Sequence, residues 1–128
     1  MSKHLIPYYF YIFGTVVFTV YGQLILKWRI GIYGQLPDSA YDKIVFLLKA
    51  LLDPYILSGL FAAFVASLFW MAAMTKFDVS FAYPLITAGL TLITVFMAIV
   101  ILNESISINK VIGVLLIMSG VLVMVRDA

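Results

Sequence analysis

The side chains able to do chemistry in this 128-residue chain are few, and their spacing limits what that chemistry is. Two stripes of neutral hydrogen-bonding groups lie inside apolar stretches. One is Thr15, Thr19 and Gln23, spaced by four; the other is Tyr83, Thr87, Thr91 and Thr94, the last three residues beyond Thr91. On a helix each set gathers on one face. Hydroxyls and an amide so arrayed could carry a polar, uncharged group such as a sugar. Alternatively, the threonines bond their own helix carbonyls and Gln23 bonds a neighbouring helix. One turn beyond Gln23 stands Lys27, followed by Arg29, on the same side of the apolar segments as Glu104 and Lys110. Cations at that depth are the counter-charge that a phosphate or pyrophosphate would need. The competing reading is that they anchor helix ends, or that Lys27 pairs with Glu104; anchoring suits Arg29 and Lys110 better than Lys27, which extends the Gln23 stripe.

Catalysis has little to stand on. Every acidic residue falls at or outside the end of an apolar segment, so no carboxylate is available at mid-membrane for a proton relay or an organic cation. There is no cysteine, the one histidine is His4 in the N-terminal tail, and no His/Asp/Glu cluster or serine–histidine pair is evident. The expectation is a protein that is not an enzyme and that uses no metal and no cofactor.

The elements that must position these groups follow from composition. The chain is 65% hydrophobic and 11% charged, with mean hydropathy +1.15; soluble domains are about half apolar and a quarter charged. Eight basic and six acidic side chains cannot cover a soluble surface of this length, so lipid is the solvent for most of the chain. A net charge of +2 is too small to imply nucleic acid as a partner. Four apolar stretches approach the roughly 20 helical residues that cross hydrocarbon. They cover about residues 8–26, 55–74, 81–102 and 109–125.

Pro7 suits a first helical turn, Tyr8 to Tyr11 read as an aromatic belt, and Lys27-Trp28-Arg29 anchors the far end. Asp53-Pro54 reads as N-cap and first-turn proline of the second span, and Arg126-Asp127 as the final anchor. Between the first two spans, Ser39 and Asp42 resemble a capping box before a helical stretch at about 41–52, too short to span. It is either an amphipathic helix lying in the interface or an extension of the second span broken at Pro54. The expected fold is therefore an all-α membrane protein: one domain, residues 1–128, with four transmembrane helices and a short interfacial helix after the first.

With both termini on one side, Lys3, Lys76 and Arg126 stand against Lys27, Arg29, Lys43, Lys49 and Lys110, a weak bias of five to three towards termini outside the cytoplasm. Gly113 and Gly120 share a face of the fourth span and offer a dimer interface. Gly59, Ala62, Ala63, Ala66 and Ser67 in the second offer either another interface or ordinary packing within one bundle.

Several of these residues together resemble a known group. Gly22-Gln23-Leu24-Ile25-Leu26-Lys27 closes the first span, Asp78-Val79-Ser80-Phe81-Ala82-Tyr83-Pro84-Leu85 opens the third, Glu104 follows it, and residues 113–121 lie in the fourth. In this order they resemble the four-helix branch of the drug/metabolite transporter superfamily over nearly the whole chain. Two families compete within it: the small multidrug resistance transporters, and EamA-like subunits resembling the aminoarabinose–phosphoundecaprenol flippase of lipid A modification.

The multidrug exporters carry a membrane-embedded glutamate three residues before the glycine matching Gly22; here that position is Thr19. They carry a tryptophan three residues after the tyrosine matching Tyr83; here it is Ile86. Both departures argue against proton-coupled cation export, although Tyr83, Lys27, Gly113 and Gly120 fit that family too. Gly-Gln-Leu-x-x-Lys, Ala-Tyr-Pro-Leu and Asn103-Glu104 look like the flippase-subunit pattern.

What the resemblance implies is transfer of a single sugar on a polyprenyl phosphate across the bacterial inner membrane, without chemistry, by a homodimer or a heterodimer with a similar four-helix subunit. Lys27, Gln23, Thr19, Tyr83, Arg29 and Glu104 would meet the substrate, and membrane lipids would surround the rest. The alternatives are an exporter of cationic compounds or small metabolites using Glu104 or Asp78, and a non-transporting subunit that scaffolds a larger partner.

Overall fold

Side-chain caps set most of the helix starts. Ser39 Oγ accepts from the Asp42 N–H at 3.1 Å, Asp53 accepts from the Tyr55 and Ile56 N–H groups at 2.9 and 3.2 Å, and Ser107 Oγ accepts from the Lys110 N–H at 3.2 Å. Each satisfies a donor that the first turn of a helix leaves unpaired. The computed structural model describes residues 3–126, and among them every regular element is helical: a 3-10 segment Lys3–Tyr8, then α1 Tyr9–Tyr33, α2 Ala40–Leu51, α3 Pro54–Met74, α4 Val79–Ile101 and α5 Ile108–Val125. Four of these, α1 with its leading turn, α3, α4 and α5, are long and apolar enough to cross a membrane.

Two boundaries of the first span differ from the sequence reading. Pro7 lies within the 3-10 segment and α1 begins at Tyr9. The helix continues past the expected end at residue 26 to Tyr33, and stops where Gly34 takes φ +92°, open to glycine because it has no Cβ. The short helix and the second span are separate elements with Asp53 between them. Of the expected final anchor, Arg126 directly follows α5, while Asp127 lies outside the described residues.

The reason for the longer α1 is an ion pair. Arg29 and Tyr33, one turn apart, both reach Asp53: Arg29 Nε donates to Oδ1 at 3.2 Å, Nη2 to Oδ2 at 2.6 Å, and the Tyr33 hydroxyl to Oδ2 at 2.5 Å. Asp53 is only 5% exposed, so its own capping bonds and these three together satisfy a carboxylate that burial would otherwise penalise. The pair ties the end of α1 to the start of α3. Short α2 is held beside them through Tyr33 against Phe46, ring centroids 6.4 Å apart, and buried Ala50. Its outward side chains include Tyr41, Ile44 and Leu48.

Packing makes α1 the central helix. It lies along α3 for much of its length and touches α4, whereas α3 and α4 barely meet, and α5 packs chiefly on α4. Ile12, Val16 and Val20 of α1 form the core with Ala73, Phe77, Ala82 and Ile86. Glycines let α1 and α3 approach: a Cβ on Gly22 would stand 3.0 Å from the Gly59 carbonyl oxygen, and one on Gly59 would stand 2.6 Å from Ile25 Cγ2. The small residues Gly59, Ala62 and Ala66 therefore serve packing within the bundle, whereas Ala63 and Ser67 remain exposed. In contrast, α5 buries no residue, and a Cβ on Gly113 or Gly120 would meet nothing within 4 Å.

Two expectations follow. Replacing Gly22 or Gly59 with Val overpacks the α1–α3 contact and lowers stability by about 1–3 kcal/mol, measured as thermal unfolding in detergent. Gly31→Ala, where nothing stands within 4 Å, leaves the transition in place or raises it. The second concerns pH. The Arg29 guanidinium, then the Tyr33 hydroxyl, hold the Asp53 carboxyl well below the usual carboxylate range against the opposing effect of burial. A carboxyl depressed in the folded state stabilises above its unfolded value of about 4 and loses that contribution as the pH falls further. Melting temperature should drop below about pH 4, and Asp53→Asn should be less stable at neutral pH with a weaker acid dependence; an unchanged acid dependence would contradict this.

Candidate functional site

The residues singled out from the sequence fall into separate places. The first is a groove between α1 and α3 lined by Thr19, Gly22, Gln23 and Leu26 on one side and Ile56, Gly59, Leu60 and Ala63 on the other, with a volume of about 160 Å³. The glycine contact forms part of its wall, because two helices that approach this closely leave only a shallow trough beside the contact. Thr19 is half-buried and Gln23 exposed, and among the described residues neither has a hydrogen-bond partner for its side chain. Thr15, one turn earlier, is different: it is buried and its hydroxyl donates to the Tyr11 carbonyl at 2.8 Å. Thr91 likewise donates to Thr87 O at 2.8 Å. The alternative that threonines serve their own helix thus describes Thr15 and Thr91, and leaves Thr19 and Gln23 available.

The second is an open cleft of about 550 Å³ lined by Lys27, Trp28, Leu102, Glu104, Ser105 and Lys110. The end of α4 builds it. The chain turns at Asn103, φ +56°, where the Leu102 and Glu104 N–H groups both return to the Ala98 carbonyl, at 3.1 and 3.2 Å. Asparagine tolerates this left-handed conformation better than most residues. The turn brings Glu104 and Ser105 to the cleft, the Ser107 cap starts α5, and Lys110 Nζ donates to the Ser105 carbonyl at 2.7 Å. Lys27 and Glu104 share the cleft without forming an ion pair; the ion pair among the described residues is Arg29 with Asp53. Two ammonium groups and one carboxylate leave the cleft with a positive excess suited to an anion.

Lys27 does not continue the Thr19–Gln23 groove, which ends at Leu26. Each four-residue step on a helix overshoots a full turn by about 40°, so the stripe drifts round α1 and Lys27 turns into the neighbouring cleft. Arg29 lies in neither recess. Its guanidinium is engaged by Asp53 and stacked 4.6 Å from the Tyr55 ring centroid and 5.2 Å from that of Trp28.

Tyr83 is also apart from the others. It is 61% exposed near the start of α4, edge-on to Trp70 with centroids 5.9 Å apart. Because α1 and α4 run parallel, with Val16 at Gly89 and Trp28 beside Ile101 and Leu102, Tyr83 stands at the opposite end of the bundle from Lys27. The separation is about 25 Å at the α-helical rise.

Sequence reasoning missed Trp28, Leu102 and Ser105 as lining residues, and it gave Asp53 only a capping role. A signal was there: Trp28 adjoins Lys27, and Asp53 is one of the acids at the same bundle end as Arg29.

The arrangement offers a neutral hydrogen-bonding groove in the membrane and a charged cleft at its edge, a combination suited to carrying a polar headgroup. The profile of the EamA-like transporter family matches residues 6–126. The chain is 32% identical over 122 residues to the probable 4-amino-4-deoxy-L-arabinose-phosphoundecaprenol flippase subunit ArnF of Aeromonas hydrophila subsp. hydrophila, an alignment covering 94% of this chain and 81% of that protein. No solved structure matches the chain significantly. With four apolar helices able to cross a membrane, it is a multi-pass membrane protein that belongs to the EamA-like transporter family.

Proposed function

We propose that this protein is a flippase subunit that moves a sugar linked to a polyprenyl phosphate across the bacterial inner membrane, without covalent chemistry. The observation that carries the reading is Lys27, without an ion-pair partner in a cleft that neighbours the groove of the unpartnered Thr19 and Gln23. A phosphate in hydrocarbon is prohibitively costly because it loses its hydration. Lys27 and Lys110 replace part of that hydration at one membrane edge, and Thr19 and Gln23 offer hydrogen bonds to sugar hydroxyls as the headgroup passes. The prenyl chain stays in lipid. Nothing in this scheme consumes energy, so net direction comes from removal of the lipid on the far side.

Glu104 fits the same scheme. It is half-buried in the cleft without an ion-pair partner, where it would meet an amino group on the sugar while the lysines hold the phosphate. The relative named above is described as a probable flippase subunit for an aminosugar lipid, which supports this assignment. As a carboxylate at the membrane edge, Glu104 also keeps open an exporter of organic cations. Proton release on adding such a cation to the solubilised protein would favour that alternative.

The second subunit follows from α5. Its Gly113 and Gly120 meet no atom of their own chain and its residues are unburied, so this face suits close contact with a second copy or a similar four-helix subunit. Gly113→Leu combined with Gly120→Leu should abolish the dimer in mild detergent while leaving the monomer's melting temperature unchanged. A dimer that persists would move the interface elsewhere.

Liposomes containing the purified protein, alone or with a partner subunit, should translocate a polyprenyl-phosphate-linked aminosugar faster than protein-free liposomes. Lys27→Ala should slow this about tenfold, equivalent to roughly 1.4 kcal/mol at the barrier. Arg29→Ala should instead lower the yield of folded protein and leave the rate per folded molecule nearer that of the wild type. Folded protein that accelerates nothing, in either subunit composition, would overturn the proposal. Equal rates for wild type and Lys27→Ala would remove the phosphate role from Lys27.

A further inference from the structure

The face of α1 turned away from Thr19 and Gln23 carries a second groove, lined by Tyr21, Leu24, Ile25 and Trp28 of α1 and by Ile101 and Leu102 at the end of α4, with a volume of about 360 Å³. It is apolar although a tyrosine contributes to it. The Ser58 hydroxyl donates to the Tyr55 carbonyl at 2.6 Å, so in the 2.7 Å contact between Tyr21 and Ser58 it is the Tyr21 hydroxyl that donates to Ser58 Oγ. The phenol oxygen is thereby turned to α3, and the ring remains as an apolar wall.

Trp28 and Leu102 line both this groove and the charged cleft of Lys27, Glu104 and Lys110. The two recesses therefore adjoin: one is apolar, and the other, at the end of the helices, is cationic. Trp28, at the junction, is braced by the Tyr55 ring, 5.2 Å away and perpendicular, and by the Arg29 guanidinium.

We propose that these adjoining recesses together are the resting site of the lipid, with the phosphate of a single-chain isoprenoid phosphate between Lys27 and Lys110 and the first part of its chain lying along Tyr21, Leu24 and Ile101. Charge complementarity chooses an anionic head, and a single apolar groove of about 360 Å³ beside that cleft takes one chain, whereas a diacyl phospholipid would leave its second chain outside. The assignment rests on the flippase reading and extends it. The lipid docks on one face of α1, and its sugar reaches the neutral groove on the other face only when the headgroup moves.

Isothermal titration of the detergent-solubilised protein tests this with three probes: undecaprenyl phosphate, isopentenyl phosphate as head with one isoprene unit, and a diacyl phosphatidylglycerol. Undecaprenyl phosphate should bind at least about tenfold more tightly than either. Ile101→Phe fills the groove from an exposed position and should weaken undecaprenyl phosphate about tenfold while leaving isopentenyl phosphate unchanged. Lys27→Gln with Lys110→Gln should weaken both. Leu24→Phe is a second groove-filling variant with the same expected pattern, and unaltered melting temperature shows that each variant is folded.

If wild-type protein binds undecaprenyl phosphate and neither groove variant weakens it, the groove assignment fails and the flippase reading stands. If phosphatidylglycerol binds equally well, the site is a general anionic-lipid site and the single-chain assignment is overturned. If wild type binds no isoprenoid phosphate, the flippase reading fails and takes this proposal with it.

Discussion

The architecture of this protein depends on one buried carboxylate. Asp53 accepts hydrogen bonds from two N–H groups of α3, from both ends of the Arg29 fork and from Tyr33, and in doing so joins the end of α1, the return from α2 and the start of α3. Removing either charge from such a pair leaves the other stranded away from water, which costs more than the intact pair contributes. The pair also sorts the cations. With Arg29 committed to Asp53 and braced against Trp28 and Tyr55, Lys27 faces the cleft without an acid of its own. A structural guanidinium beside an available ammonium matches their chemistries, since the planar fork suits a fixed bidentate partner and the flexible ammonium suits a mobile one.

The second constraint is the thinness of the bundle. α1 is flanked by α3 and α4, which scarcely touch, and α5 rests chiefly on α4, so many polar and small residues face outward. For apolar side chains lipid is an adequate neighbour, but for Gln23 it is not. An exposed amide at that depth calls for a ligand or a second protein surface, and the glycine face of α5 is where the proposed second subunit would dock. Function and assembly are thus two consequences of the same incomplete burial.

Much of this was legible in the sequence. The spans, the short helix between the first two, the Ser39 and Asp53 caps and the neutrality of the membrane interior all follow from hydropathy, capping residues and the positions of charges. Less legible was what depends on rotation and register. Spacing by four placed Lys27 in line with Thr19 and Gln23, yet helical drift over two steps carries it into a different recess. Residue order gave Tyr83 a place among the substrate groups, yet parallel α1 and α4 put it at the far end of the bundle. Arg29 looked like an anchor because its partner is 24 residues away across a loop and a helix. Long-range pairing of this kind is fixed by tertiary packing, and local pattern does not report it.

On the proposed function, this small bundle holds a sugar-bearing polyprenyl phosphate. The most direct measurement is identification, by native mass spectrometry, of the lipid retained when the protein is purified gently from a membrane that makes such lipids. The account predicts a polyprenyl phosphate carrying a single sugar, enriched over bulk phospholipid and diminished in protein lacking the Lys27 ammonium. Retention of bulk phospholipid alone, in proportion to its abundance in the membrane, would contradict it.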